Sequence, residues 1–197
     1  MSSLNHDADS ATTMTPEEAE ALLMRFYEPE SELCRMLLKH SRSVADKAEA
    51  IRAARCPHLD AGQVRAAALL HDIGIFLTDA PGIFCHGPEP YIRHGILGAA
   101  LLREQGAPEW AARVAERHTG AGITAEDIVA QGLPLPVADL VPETELEKLV
   151  CYADKFFSKT HLDREKTIEQ AEKSLSKFGG ETLARFRDMK RLFEPNL

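Results

Sequence analysis

The chain has no basic excess, no long apolar run and no cysteine motif. Its 31 acidic side chains outnumber 23 basic ones, for a net charge of -8 and a pI of about 5.5. That balance excludes a general electrostatic grip on a nucleic-acid polymer or an anionic membrane surface, though not a local basic pocket for a small phosphate. No stretch approaches the roughly 18 consecutive apolar residues of a membrane span. Four cysteines, Cys34, Cys56, Cys85 and Cys151, stand singly. Without a C-x-x-C pair they fit neither a zinc ribbon nor a redox motif, and they read as reduced thiols of a cytoplasmic protein. Internal repeats, glycine-rich phosphate loops and period-two alternation are also missing.

What remains is helical periodicity punctuated by caps. Thr15-Pro16-Glu17-Glu18 combines an N-cap, a proline at the first helical position and a capping-box glutamate, predicting a helix to about Tyr27. Before it, residues 1–14 are polar and read as a disordered leader. Ser31 opens a long stripe of Leu33, Met36, Leu37, His40, Val44, Ala48 and Ile51 at spacings of three and four. Asp60 caps a helix to His71. Further helices are predicted over Tyr91–Gln105, Glu109–His118, Thr124–Ala130 and Thr144–Phe157, followed by charged amphipathic ones over 163–178 and 181–193. The fold class is therefore all-α: one domain over 15–197, a compact array of seven or eight helices, with a helical extension from about residue 163. Two proline- and glycine-bearing loops, 74–90 and 132–142, interrupt it.

The chemistry-bearing residues lie on or at the ends of these helices. His71-Asp72 stands where an apolar helix runs into Gly74, and His40, His94, His118 and Asp154 accompany it. Singly, each histidine reads more readily as a hydrogen-bonded core group than as a ligand, and Asp154 as a partner for an arginine or a solvent-facing residue. Jointly, four imidazoles and two carboxylates in one small domain need partners. First-row divalent ions suit such donors, and six donors suit two ions sharing a carboxylate.

Five pieces, His40-Ser41-Arg42-Ser43-Val44-Ala45, Leu70-His71-Asp72-Ile73-Gly74, His94-Gly95, Arg117-His118-Thr119-Gly120 and Tyr152-Ala153-Asp154-Lys155, together resemble the HD-domain superfamily of metal-dependent phosphohydrolases. The resemblance covers roughly residues 31–160. It implies one ion on His40, His71, Asp72 and Asp154 and a second on His94 and His118, with Asp72 bridging and a metal-bridging water as nucleophile. Iron or manganese is expected first, with magnesium, zinc, nickel or cobalt also acceptable to such donors. Asp72 and Lys155 are the expected catalytic residues. Lys155, Arg93 and Arg117, each within one residue of a ligand, are the cations expected to meet a phosphate.

The substrate implied is a small phosphorylated compound, a nucleotide above all, with no nucleic-acid polymer and no membrane as partner; a homodimer is compatible with it. The His-Thr-Gly and Ala-Asp-Lys pieces are most similar to HD-type hydrolases of diadenosine tetraphosphate. Many family members carry a lysine shortly after the doublet, where this chain has Ile75 and Phe76. The stretch between Gly120 and Glu143 also departs from that subgroup. The 74–90 loop, directly after the doublet, is expected to hold substrate choice. Two rival readings stay open: an HD-fold di-iron oxygenase, whose six-ligand pattern is similar, and a non-catalytic nucleotide-binding signalling domain using its C-terminal helices as a contact surface.

Overall fold

A computed structural model of the chain describes residues 13–194, so nearly all of the expected leader lies outside the described residues. Nine α-helices occupy them: α1 (Pro16–Leu23), α2 (Glu32–Arg55), α3 (Ala61–Leu70), α4 (His94–Glu104), α5 (Glu109–Arg117), α6 (Ala125–Gln131), α7 (Glu145–Asp154), α8 (Ile168–Leu175) and α9 (Gly180–Phe193). The all-α expectation holds, with nine helices instead of seven or eight. Caps set most of the starts. Thr15, Thr124, Thr144 and Thr167 each close a capping box, and Ser31 and Asp60 accept the N–H groups of Cys34 and Gln63. The first helix ends at Leu23, before Tyr27, and the 163–178 segment becomes helical only at Ile168. Tyr27 instead turns its buried hydroxyl onto the Ile73 carbonyl at 2.6 Å, tying the first turn of chain to the doublet.

The 74–90 segment is not wholly irregular. It forms a three-stranded sheet of β1 (Thr78–Ala80), β2 (Cys85–His86) and β3 (Glu89–Pro90), in the order β2-β1-β3. β1 runs antiparallel to β2, with Asp79 opposite His86, and parallel to β3, with Thr78 opposite Glu89. Strands of two or three residues are too short to show a period-two pattern, and Pro90 is tolerated because β3 is an edge.

Two apolar clusters fill the interior. One gathers Val44, Leu149, Tyr152, Phe156, Phe186 and Phe193 from α2, α7, α9 and the turn after α7; the other gathers Leu23, Leu37, Leu70, Ile75, Cys85 and Leu102. Trp110 of α5 packs against both. The C-terminal helices are thus built into the core, since Ala171, Leu175, Phe186, Met189 and Phe193 are all buried. Each phenylalanine there contributes about 2 kcal/mol of burial. Fully buried Ala66, Ala67 and Ala68 make α3 thin enough for α1, α2 and α5 to close around it. All four cysteines are buried and free. Among the described residues no helix is long and apolar enough to cross a membrane.

Candidate metal centre and its cavity

Of the six expected donors, only His40 lies mid-helix, in α2. His71 and Asp72 follow α3, His94 begins α4, His118 follows α5 and Asp154 ends α7. The doublet is bent back on itself, with the Ile73 N–H bonded to Leu70 O and the Ile75 N–H to Asp72 O. The turn then meets α4 backbone to backbone. A β-carbon on Gly74 would fall 2.4 Å from both Gly98 N and His94 O, so glycine is what allows His94 to sit on the doublet.

Three imidazoles share one device. The Nδ1–H of His71, His94 and His118 donates to the carbonyl three residues back, Ala68 at 2.7 Å, Tyr91 at 2.7 Å and Ala115 at 2.8 Å. Each bond satisfies a carbonyl near a helix end and turns Nε2 inward; at His94 and His118 it is left as a bare lone pair. The His94 and His118 Nε2 atoms then face each other at 3.1 Å, two lone pairs that repel unless a cation lies between them.

His40 Nε2 lies 3.2 Å from Asp72 Oδ2 and 3.1 Å from Asp154 Oδ1, and His71 Nε2 lies 3.0 Å and 3.5 Å from the same two oxygens. The other Asp72 oxygen, Oδ1, is 3.5 Å from His94 Nε2 and 3.4 Å from His118 Nε2. Close as they are, the Nε2 atoms of His40 and His71 and Asp72 Oδ1 are buried without a hydrogen bond of acceptable geometry, and Asp72 Oδ2 meets only the Lys159 ammonium besides the imidazoles. Orphaned polar atoms of this kind are costly and need an occupant. His40 Nδ1 is also without a partner.

Two sets of donor atoms converge, each within 4.8 Å: His40, His71, Asp72 and Asp154, and Asp72, His94 and His118. Asp72 belongs to both, one oxygen toward each. Nitrogen and oxygen donors so arranged fit first-row divalent ions.

The electrostatics are polarised. Burial would raise the Asp72 carboxyl, but His71 and Lys159 hold it well below the usual carboxylate range. Burial would likewise raise Asp154, which Lys155 and its histidine neighbours hold down. For His71, burial opposes the cation, yet the Asp72 and Asp154 charges outweigh it and lift the group to about 9. Burial and the neighbouring His118 push His94 down to about 3, and burial lowers His118 too. Both carboxylates are thus ionised at neutral pH while His94 and His118 are neutral, the states in which these groups ligate metal, and His71 would release a proton on ligating.

Asp154, His94 and His118 line a cavity of about 290 Å³. Its walls come from the Thr119–Leu133 stretch, the turn after α7, and the α8–α9 region. Ile123, Leu133, Phe157, Leu175 and Phe178 make one side apolar. No residue of 74–90 lines it, contrary to the expectation that this loop holds substrate choice. The physical reason is that Ile75, Ile83 and Cys85 anchor that segment in the core.

Lys155 lines the cavity, with Nζ 2.6 Å from Asp154 Oδ2 and bonded to His118 O at 3.1 Å. Arg93 and Arg117 do not line it. Arg93 lies against Glu89 at 3.2 Å; Arg117 holds Glu143 at 2.7 Å and Val141 O at 3.0 Å, tying down the end of the 132–142 loop. In their place stand two lysines that sequence reasoning missed, Lys159 and Lys166, together with Tyr91, whose ring stacks on His94 at 4.6 Å. Lys159 Nζ is 2.6 Å from Asp72 Oδ2. Its inward course follows from chain folding after α7, where Ser158 pairs with His161 and the Lys166 N–H bonds to Phe156 O at 2.7 Å. No local pattern in Ser158-Lys159-Thr160-His161 announces this.

Comparison with known proteins places these features in context. Residues 37–158 match the family model described as HD domain. A tRNA (cytidine(56)-2'-O)-methyltransferase of Picrophilus torridus is 40% identical over 140 residues, which is 67% of this chain and 37% of that protein. An uncharacterized protein of Methanocaldococcus jannaschii is 42% identical over 120 residues, 60% of this chain and 63% of that one. The chain thus spans less than two thirds of the length of the curated relatives it matches. Among solved structures, the HD domain of the L. monocytogenes phosphodiesterase PgpH superposes with a TM-score of 0.50 at 17% identity, covering 87% of this chain and 93% of that one. The same domain in complex with cyclic-di-AMP superposes equally well, over 92% of its length. At that identity the likeness is one of fold.

Proposed function

Because the chain belongs to the HD-domain family, we propose that it is a metal-dependent phosphohydrolase acting on a phosphate ester or anhydride of a small nucleotide-like substrate. The observation that carries this reading is the set of buried, orphaned imidazole and carboxylate atoms opening into a lysine-bearing cavity. In it His40, His71, Asp72 and Asp154 would hold one divalent ion, and His94, His118 and Asp72 a second, with iron or manganese the first candidates. Ions bound there would supply a water of lowered pKa and positive charge against the phosphoryl oxygens.

The chain's own residues do the rest. The Nδ1–H bonds to backbone carbonyls hold three imidazoles in the ligating tautomer and orientation. Lys155 steadies Asp154 and presents an ammonium to the phosphate, while Phe157, Phe178 and Leu133 offer apolar surface to a base or similar planar group. A nucleotide is also what the PgpH HD domain is seen to bind in one of its structures. The reading places a single domain over 15–197 with its function in the cytoplasm.

The methyltransferases among the relatives supply a rival, methyl transfer to tRNA. The matched stretch is 37% of the Picrophilus torridus protein, and six convergent metal donors serve hydrolysis better than methyl transfer. A phosphate-release screen over nucleotides, dinucleoside polyphosphates and sugar phosphates, with each candidate ion, tests the hydrolase. Turnover with at least one substrate is expected, and none with a methyl donor and tRNA. Failure across the screen, with iron in the purified protein and oxygen-dependent turnover, would favour the di-iron oxygenase; nucleotide binding without any turnover would favour the signalling domain. His94→Ala separates the two donor sets. It should lower bound metal from two ions per chain to one, as read by elemental analysis, and retained two-ion stoichiometry would refute the assignment of His94.

A further inference from the structure

Metal binding would leave the cavity's lysines short of counter-charge. Lys159 pairs with Asp72 and Lys155 with Asp154, both at 2.6 Å, and both carboxylates belong to the donor sets. Ions on those carboxylates would take up the negative charge that now balances the two ammonium groups. Lys166 lacks such a partner already. Its Nζ reaches only the Lys155 carbonyl, at 3.5 Å, and no carboxylate lies within 4.0 Å of it among the described residues. Burial lowers its pKa, the Asp154 charge opposes that, and the nearby Lys155 and Lys159 charges lower it further. Apart from Asp154, the carboxylate lining the cavity is Asp127, which is occupied by Arg185 at 2.9 Å and by the Thr124 N–H at 3.1 Å. In a chain of net charge -8, three ammonium groups face a space with no free anion. One phosphoryl group at the metal centre, with Lys155 beside it, leaves Lys159 and Lys166 in excess.

We propose that Lys159 and Lys166 form a second anion subsite that holds a phosphate which is not cleaved, so that the preferred substrate carries at least two linked phosphoryl groups and not a lone phosphomonoester. This rests on reading the six donors as a metal centre. The backbone bond from Lys166 N–H to Phe156 O, with Lys166 Nζ 3.5 Å from Lys155 O, fixes the lysine beside Lys155. A charged hydrogen bond to a phosphoryl oxygen is worth about 2 kcal/mol, or tens-fold in affinity.

The test is calorimetric titration of the manganese-loaded full chain with methylenediphosphonate and with methylphosphonate, metal content being measured before and after. The wild type is expected to bind the diphosphonate about tenfold more tightly or better. Lys166→Met keeps the aliphatic stem and should weaken the diphosphonate about tenfold while leaving methylphosphonate and metal content unchanged; Lys166→Arg should restore it. Equal weakening of both ligands, or of neither, overturns the subsite. If the lysine dependence holds but no ester or anhydride is hydrolysed, the subsite stands and the hydrolase falls. If monoesters are turned over and Lys166→Met has no selective effect, the reverse is true.

Discussion

Asp72→Ala should empty both donor sets at once. One oxygen of Asp72 faces His40 and His71, the other faces His94 and His118, so no other donor can be removed with the same reach. Metal content should fall from two ions per chain to near none, and phosphate release should fall by about a thousandfold or more, the scale of losing a metal's charge and its activated water. The same change strips Lys159 of its carboxylate partner, and losing one side of a buried pair costs about 3 kcal/mol. Asp72→Asn separates these effects, because it keeps the volume and an oxygen acceptor but not the charge. Elemental analysis of both variants decides the matter. Full metal content in either one would end the bridging role.

Gly74→Ala should be strongly destabilising for a single added methyl group. Gly74 has φ -86° and needs no special backbone conformation, so the requirement is for space. The added carbon would lie 2.4 Å from Gly98 N and His94 O and 2.8 Å from Gly98 Cα, all of them backbone that cannot rotate aside. α4 must move as a body, carrying His94 with it. Overpacking of this kind costs about 3 kcal/mol, or a melting temperature lower by about 10 °C for a domain of this size. The second ion should bind more weakly as well. Gly82→Ala, where nothing lies within 4 Å, is the control. Equal melting temperatures for the two variants would show that the turn and α4 are not in rigid contact.

The helices were legible because their signals are local. Capping threonines at 15, 124 and 144 sit where the sequence places them, and apolar spacing marks the buried faces. All six donors occur on or beside those helices, and the structure brings them into one buried centre. Proximity in sequence misled where direction mattered. Arg93 and Arg117 each precede a ligand by one residue, but neighbours on a helix point about 100° apart, so both turn to glutamates outside the cavity. Lys159 and Lys166 were illegible for the opposite reason: they lie in a stretch without periodicity, and only its folding back onto α7 aims them inward. The strands of 78–90 escaped notice because pairs and triplets of residues carry no period.

The family-matched stretch ends at residue 158, yet Lys159, Lys166, Ala171, Leu175, Phe178 and Thr182 all line the cavity. All six donors thus precede this point, while the cavity wall is shared between the Thr119–Leu133 stretch before it and the tail after it. One side of the cavity can therefore be remodelled in a stretch that supplies none of the six donors and meets them at Lys159, which reaches Asp72. Relatives sharing the six donors but diverging after this point would then keep the donor cluster and differ in the cavity beside it.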